Sequence, residues 1–280
     1  MNHFNVLPLM VLSFLSVAPT KAFAASLNFN NLSQSDFNNI AREFSANDNL
    51  NDVMPASSLG AVFGLELSVG AGLTKSPNTN ASVQSSSPGT DASKLPHASI
   101  LGAVSFPMGI TGEFSLLPTE KLNGMKAQQF GGALKWTITD IFMQNLPLNI
   151  AVRGFITDSQ YSFDNTINNS STSFQPVKTT LSYTGQVSGY HLLVSPKFPF
   201  KLIEPYVGYG MAFERGSIAM NGSTAGVLFS DSSSQSGSAS DRSTELLVGI
   251  NAKLAYFVIG AEYVRCFSTD TYSAKLGFRF

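Results

Sequence analysis

Cysteine is almost absent from this 280-residue chain, since Cys266 is the only one. A single thiol excludes an internal disulfide and a metal site built from cysteine ligands. Charged residues make up only 12% of the chain, about half the usual share, and the formal net charge is −1. This balance gives no sign of nucleic-acid binding. The glycine-containing stretches lack the lysine and the following helix of a phosphate-binding loop, so no cofactor is predicted.

Long apolar runs are also missing, except at the start of the chain. The run VLPLMVLSFLSVAP has the length of a signal peptide, and the following KAFA offers the small residues Ala22 and Ala24 for cleavage after Ala24. Residues 1–24 are therefore predicted to be a signal peptide, with a buried helix as the alternative. After residue 24 no run reaches the roughly 20 residues of a transmembrane helix. An exported chain of this kind is either soluble outside the cytoplasm or inserted in a membrane as strands.

Two-residue alternation is abundant from Ser58 onward. In FGLELSVGAGL, for example, one face carries Phe63, Leu65 and Leu67, whereas the other carries glycine, serine and Glu66. Ten such segments are recognisable, each about 8 to 16 residues long, and a tilted membrane strand needs about 9–11 residues. The predicted strands are 63–73, 97–106, 110–117, 129–138, 149–157, 181–194, 205–219, 244–251, 256–264 and 271–280.

The connections between these strands are unequal. Three odd-numbered ones, at Thr74–Pro96, Asp158–Lys178 and Met220–Asp241, are long and rich in polar residues, whereas the even-numbered ones are short or compact. Membrane β-barrels combine short periplasmic turns with long outer loops in this way. The pattern predicts that the three polar connections are loops facing outside the cell and that both termini are periplasmic.

The two faces of the strands predict an apolar exterior and a polar lumen. Aromatic residues lie near the ends of the apolar face, for example Tyr263 and Trp136, as in the interfacial girdles of membrane barrels. The glycine-rich face carries charges of both signs, which would need partners when buried. We expect them to form ion pairs across the lumen and either to brace a narrow barrel or to line a small polar path. They are Glu66, Glu113, Lys135, Arg153, Glu245, Glu262, Lys275 and Arg279.

The last ten residues, TYSAKLGFRF, resemble the C-terminal strand of Gram-negative outer-membrane β-barrel proteins. In that class the strand ends in an aromatic residue and is read by the barrel-assembly machinery. The resemblance assigns this signal to Tyr272, Leu276, Phe278 and Phe280 and implies an outer-membrane location, with lipid as a partner. The stretches PASSLG and GITGEFSLLP are similar to an uncharacterised family of small barrels, and this similarity implies no activity.

Residues 25–57 have a different character. In LSQSDFNNIAREF, the residues Phe37, Ile40 and Phe44 form one helical stripe, and Ser33 can cap a helix. We predict a short amphipathic helix at Gln34–Phe44, followed by a polar link. The helix is expected to contact the barrel interior or its periplasmic mouth. It would act either as a brace that stabilises the barrel or as a plug that regulates passage.

The predicted fold is therefore all-β: a closed, antiparallel, up-and-down transmembrane β-barrel of about ten strands over residues 58–280. Three function classes remain open. The first is a structural or surface-interaction role without catalysis, with the surface ligand unidentified. The second is a narrow channel or transporter for small polar or apolar solutes, gated by the N-terminal helix. The third is a barrel hydrolase, in which His97 would need Ser99 or Asp91 as a partner; His191 is expected to lie far from His97.

Overall fold

The computed structural model describes residues 34–60, 62–86, 91–122, 125–167, 177–198, 202–225 and 230–280. The predicted signal peptide and residues 25–33 lie outside the described residues. Two α-helices, α1 (Gln34–Asp48) and α2 (Pro77–Ser86), occur within those ranges. The ten strands are β1 (Gly64–Lys75), β2 (Lys94–Phe106), β3 (Ile110–Leu122), β4 (Met125–Thr137), β5 (Leu148–Ile167), β6 (Val177–Pro196), β7 (Ile203–Ala225), β8 (Ser230–Leu254), β9 (Phe257–Cys266) and β10 (Thr269–Arg279).

Each strand pairs with its sequence neighbours in antiparallel fashion, and β1 pairs with β10 to close the barrel. The predicted closed up-and-down barrel of ten strands is thus confirmed. The closing seam reaches the final residue: the Phe280 N–H donates to the Leu65 carbonyl at 2.8 Å, and the Leu65 N–H donates to the Phe280 carbonyl at 3.1 Å. Closure leaves no unpaired strand edge, which hydrocarbon would not tolerate.

The strands extend further on one end of the barrel than the sequence predicted. β5, β6, β7 and β8 are 20, 20, 23 and 25 residues long. The predicted loops at Asp158–Lys178 and Met220–Asp241 are therefore mostly strand, and the connection Thr74–Pro96 contains α2. The prediction was wrong because strand pairing needs only backbone groups, so a polar segment without apolar alternation can continue the ladder. The end of the barrel at which these long strands project, and at which α2 lies, is called the extended end. The opposite end is called the short-turn end.

Large apolar side chains cover the outer wall, and polar ones are buried inside. Tyr272 on β10 and Phe280, the residue directly after β10, both face outward and are separated by eight positions, or about 27 Å along a strand. Their rings pair with Tyr263 at 5.3 Å and Tyr256 at 5.9 Å, so that aromatic residues mark both ends of the apolar surface. The spacing fits an apolar band about 25 Å tall crossed by tilted strands. Among the described residues, no helix is both long and apolar enough to cross a membrane.

The helix α1 and the residues after it fill the lumen. Every residue from Glu43 to Ala56 is buried, and residues 49–60 form neither helix nor strand. The apolar stripe Phe37, Ile40 and Phe44 packs in one cluster with Leu95, Ala127, Tyr161 and Tyr183 of the wall. We call residues 34–58 the luminal segment.

The luminal segment differs from the prediction in length and in position. α1 ends at Asp48, not at Phe44, because its last turn finds partners on the wall: the hydroxyl of Ser45, for example, lies 3.2 Å from that of Tyr183. Of the two expected places, the barrel interior and its periplasmic mouth, the helix occupies the interior, where it lies toward the extended end. The chain then runs through the lumen to Ser58, whose hydroxyl donates to Asp140 beside a short turn. β1 starts at the short-turn end, so a helix near the other end requires the chain to cross the lumen.

Candidate functional site

A row of directly paired residues, most of them charged, runs across the inner wall from strand to strand. The strand register places Lys135 opposite Arg153, Arg153 opposite His191, His191 opposite Gly210, and Gly210 opposite Glu245. Directly paired residues project to the same side of a sheet, so these side chains meet inside the lumen. We define the lumen belt as five residues: Lys135, Arg153, His191 and Glu245 of this row, and Glu113, which lies on β3 near Lys135. All five residues of the belt are buried.

Carboxylates offset the repulsion between the two neighbouring cations of the belt. Lys135 and Arg153 are directly opposite each other, which is unfavourable for like charges. The Glu113 carboxylate lies 3.2 Å from the Lys135 ammonium and 3.6 Å from the Arg153 guanidinium. Asp52, from the luminal segment, lies 2.6 Å from Arg153 Nη1. The belt is therefore completed by a residue that belongs to the luminal segment and not to the wall.

The imidazole of His191 links Arg153 to Glu245. Arg153 Nε and Nη2 lie 3.2 and 2.9 Å from His191 Nδ1, which must accept because a guanidinium can only donate. The proton is then on Nε2, which lies 2.8 Å from Glu245 Oε2. The Phe155 ring stacks on the imidazole with a centroid distance of 4.8 Å. The two contacts from Arg153 thus determine the tautomer of His191, whereas Glu245 Oε2 lies within ion-pair distance of Nε2 without a hydrogen bond of good geometry.

The luminal segment is bound to the wall at many points. Asn49 Nδ2 donates to Glu245 Oε1 at 2.7 Å, so Asn49 and Asp52 hold the two ends of the Arg153–His191–Glu245 chain. Backbone carbonyls of the segment accept from wall side chains: Val53 from Asn251, Pro55 from Lys135 and Ala56 from Thr137, at 2.8, 2.8 and 2.7 Å. The wall thereby supplies hydrogen bonds that buried carbonyls need and that the segment does not make as secondary structure.

The eight charged residues predicted to face the lumen are all buried on the inner wall. The lumen belt contains four of them. Three others meet at the closing seam, where Glu66 lies 2.6 Å from both Lys275 Nζ and Arg279 Nη2. Glu262 accepts from the Tyr206 hydroxyl at 2.8 Å.

The sequence did not predict that His191, Asn49 and Asp52 are partners of these charges. Asp52 and Asn49 lie outside any alternating segment, so periodicity gave no signal for them. His191 alternates with the outward-facing Tyr190 and Leu192, and this phase could have placed it inside.

The contacts of His97 differ from the proposed hydrolase arrangement, in which its partner would be Ser99 or Asp91. Its Nε2 lies 3.1 Å from the Ser273 hydroxyl and its Nδ1 lies 3.2 Å from Asn47 Oδ1. Asp91 instead accepts from the Ser93 N–H. Serine, histidine and asparagine follow the order nucleophile, base and orienting group, but Ser273 is only 7% exposed. Within the described ranges there is no group of three or more His, Cys, Asp or Glu side chains that could hold a metal ion.

The residues of the predicted assembly signal face outward on the closing strand. Tyr272, Leu276, Phe278 and Phe280 are all exposed on the apolar wall.

Comparison with family models matches residues 11–280 to a family of unknown function, DUF6588. The chain belongs to the DUF6588 family. This agrees with the predicted resemblance to an uncharacterised family of barrels.

Two solved barrel structures are similar to this DUF6588 chain, both with low TM-scores. The Ail attachment invasion locus protein of Yersinia pestis, in complex with the heparin analogue sucrose octasulfate, shares 12% identity over 78% of this chain and 99% of that one, with a TM-score of 0.29. The translocator domain of autotransporter NalP from Neisseria meningitidis shares 11% identity over 89% and 99%, with a TM-score of 0.42. At these scores neither similarity carries an argument. A search of the curated proteins finds no match.

Proposed function

We propose that the protein is an outer-membrane β-barrel whose lumen is closed by its own N-terminal segment, with a structural or surface-interaction role and no catalytic activity. The apolar outer wall, bounded by aromatic residues, supports insertion in a membrane. The resemblance of the last strand to an assembly signal supports the outer membrane, with its lipid and the barrel-assembly machinery as partners. Export by the predicted signal peptide is part of the same proposal.

The observation that carries this proposal is the filled lumen. A barrel of about eight strands is already filled by side chains, and only 16–18 strands enclose a wide channel. Here ten strands surround an additional segment that is buried from Glu43 to Ala56. Wall side chains hold that segment from Ser45, near the extended end, to Ser58, at the short-turn end. Such an arrangement favours a closed barrel over an open pore.

Single-channel recording in planar bilayers tests the proposal. The full chain is compared with the double variant Asn49→Ala/Asp52→Ala, which removes both contacts of the segment to the Arg153–His191–Glu245 chain. A control variant, Ser35→Ala, changes an exposed residue of α1. For a structural barrel we expect no steady conductance in any of the three, with lower thermal stability of the double variant. Steady conductance of the full chain would contradict a closed barrel.

A narrow channel gated by the luminal segment is the second candidate. Val53 has a φ of 54°, a left-handed conformation that is strained for a β-branched residue. Strain of this kind occurs at switch regions. The residues after α1 also pair with no strand, so the segment could move without breaking the ladder of the barrel. In that case the double variant, but not the control, should show long-lived openings.

A hydrolase is the third candidate and has the least support. The Ser273–His97–Asn47 arrangement combines a buried serine with a residue of α1 itself, so a substrate would first have to displace the helix. Treatment of the full chain with a serine-reactive fluorophosphonate tests this class. Labelling that disappears in Ser273→Ala would favour a hydrolase, whereas no labelling favours the non-catalytic role.

A further inference from the structure

The outer wall changes from apolar to basic on two neighbouring strands near the extended end. On β7 the outward-facing Phe213 is followed by Arg215, and on β8 the outward-facing Leu246 is followed, toward the same end, by Thr244 and Arg242. Phe213 lies opposite Arg242 in the register, so the two arginines are diagonal neighbours. Diagonal side chains are about 7–8 Å apart and can act on one ligand. We call Arg215 and Arg242 the arginine patch.

Neither guanidinium of the arginine patch has an ion-pair or hydrogen-bond partner within the described ranges, and both side chains are exposed. Two outward-facing carboxylates near the extended end have partners of their own. Asp270 pairs with Lys75 at 2.7 Å and lies 3.8 Å from Arg265, and Asp158 accepts from Gln186. Asp241, between Ser240 and Arg242, points inward and pairs with Arg42 of α1. The patch is therefore a pair of free positive charges on the outer wall.

An open groove of about 580 Å³ lies over β6, β7 and β8 at this place. Polar and aromatic side chains line it beside the arginines, and the exposed Tyr190 and Leu246 of the apolar wall lie on the membrane side. A charged group held here would sit at the edge of the apolar band. The lining residues are Gln186, Ser188, Phe213, Arg215, Ser240 and Arg242, which face outward, and the acidic Glu214 and Asp241, which alternate with them and face inward.

We propose that the arginine patch binds the phosphate group of an anionic membrane lipid. A guanidinium pairs with phosphate through two parallel hydrogen bonds, and two arginines can neutralise both charges of a phosphate monoester. The lipid is favoured over a soluble phosphate because its acyl chains would lie on the apolar wall directly below the patch. This inference concerns the outer wall and not the lumen, and it rests only on the membrane insertion included in the proposed function.

The test is lipid retention by the full chain in detergent, counted by native mass spectrometry. The probes are phosphatidic acid and a diacylglycerol with the same acyl chains, which lacks the phosphate. We expect the full chain to retain phosphatidic acid in preference to diacylglycerol. Because each arginine near a membrane surface contributes about a fivefold gain for anionic lipid, Arg215→Gln/Arg242→Gln should weaken retention roughly thirtyfold. The control Arg265→Gln, whose guanidinium lies beside Asp270, should leave retention unchanged.

Three results would overturn the proposal: equal retention of both lipids by the full chain, undiminished retention by the double variant, or an equal loss in the control. Displacement of phosphatidic acid by an equal concentration of inorganic phosphate would also overturn it, since the site would then bind soluble anions. If the double variant does not assemble, Arg242→Gln decides, with an expected loss of about fivefold. Conductance of the full chain would refute the closed lumen without affecting this result, so the two proposals fail separately.

Discussion

The imidazole of His191 reaches Glu245 by lying across β7 at Gly210. A Cβ atom at this position would lie 2.0 Å from the Tyr190 carbonyl oxygen and 2.5 Å from His191 Cδ2. Real Cβ atoms do not approach other heavy atoms so closely, so any side chain must displace either the neighbouring strand or the imidazole. The contact between His191 and Glu245 therefore depends on the absence of a side chain on the strand between them.

Gly210→Ala should consequently destabilise the barrel by about 1–3 kcal/mol, the usual cost of overpacking a well-packed interior. The free energy of unfolding in urea, measured on protein folded in detergent, checks this value. The matched control is Gly112→Ala on β3, where an added Cβ would have nothing within 4 Å. Equal stability of the two variants would show that His191 does not need the open space at Gly210.

At the residue scale, the sequence predicts which face a side chain occupies but not its partner. Glu113, Lys135 and Arg153 were placed inside because alternation in a strand has a strict period of two. The height of each residue along the barrel depends on strand tilt and stagger, which alternation does not encode. The pairing of Asp52 with Arg153 was unpredictable for a further reason, since Asp52 lies in a segment without any periodic pattern.

At the scale of elements, α1 and α2 are joined by one carboxylate. Glu43 of α1 is buried, and its two oxygens accept from the backbone N–H groups of Asn78 and Thr79 at 2.7 and 2.8 Å. These amides belong to the first turn of α2, where helix N–H groups have no partner within the helix. A carboxylate at this place also interacts favourably with the helix dipole. The luminal segment thus organises a connection at the extended end of the barrel.

Glu43→Gln should therefore loosen the start of α2. The substitution removes the charge and replaces one acceptor oxygen by a donor, and losing a helix cap typically costs about 0.5–2 kcal/mol. We expect faster hydrogen exchange at Asn78 and Thr79, measured by mass spectrometry of the folded barrel. Arg42→Gln serves as the control, because Arg42 is adjacent to Glu43 in the sequence but its side chain pairs with Asp241 instead. Unchanged exchange in Glu43→Gln would mean that α2 is held by other contacts.

The existence of α1 and its contact with the barrel interior were predictable, whereas the end of the barrel toward which it lies was not. Its stripe of Phe37, Ile40 and Phe44 has helical spacing, and this stripe is buried against the wall. Which mouth of the barrel it occupies depends on the chain crossing the lumen, a property of the assembled structure. The strands of the extended end were missed for a similar reason, since their polar sequences pair through the backbone alone.

At the scale of the whole molecule, the barrel closes through its final residue. The backbone of Phe280 exchanges two hydrogen bonds with Leu65, and its ring lies 5.9 Å from that of Tyr256. Deleting Phe280 removes both the seam hydrogen bonds and the aromatic ring, whereas Phe280→Ala removes only the ring.

We therefore expect the deletion to reduce folded barrel in the outer membrane more strongly than Phe280→Ala, and to leave export intact. The fraction of heat-modifiable protein in membrane extracts measures folding, and removal of the signal peptide measures export. If both variants fold equally poorly, the ring alone is required for assembly and the closing hydrogen bonds are not. Normal folding of both variants would contradict the predicted assembly signal.

The orientation of the barrel in the membrane can be tested by labelling single cysteines introduced at its two ends. The only native thiol, Cys266, is 2% exposed and should not react with a membrane-impermeant maleimide. Gln84, on α2, is exposed at the extended end, whereas Asn145 is exposed in the connection between β4 and β5 at the short-turn end. A tag within β8, for instance at Ser234, is less suitable because it would interrupt strand pairing. Single cysteines at the two exposed positions therefore report on opposite sides of the membrane.

Intact cells producing Gln84→Cys should be labelled by the maleimide, and cells producing Asn145→Cys should be labelled only after lysis. This outcome follows if the extended end faces outside the cell, because short turns face the periplasm in membrane barrels. The unmodified chain, with Cys266 alone, gives the background. The reverse pattern would place α2 and the start of α1 in the periplasm. Labelling of both variants on intact cells would mean that the envelope is permeable to the reagent, which a periplasmic marker protein with a free thiol detects.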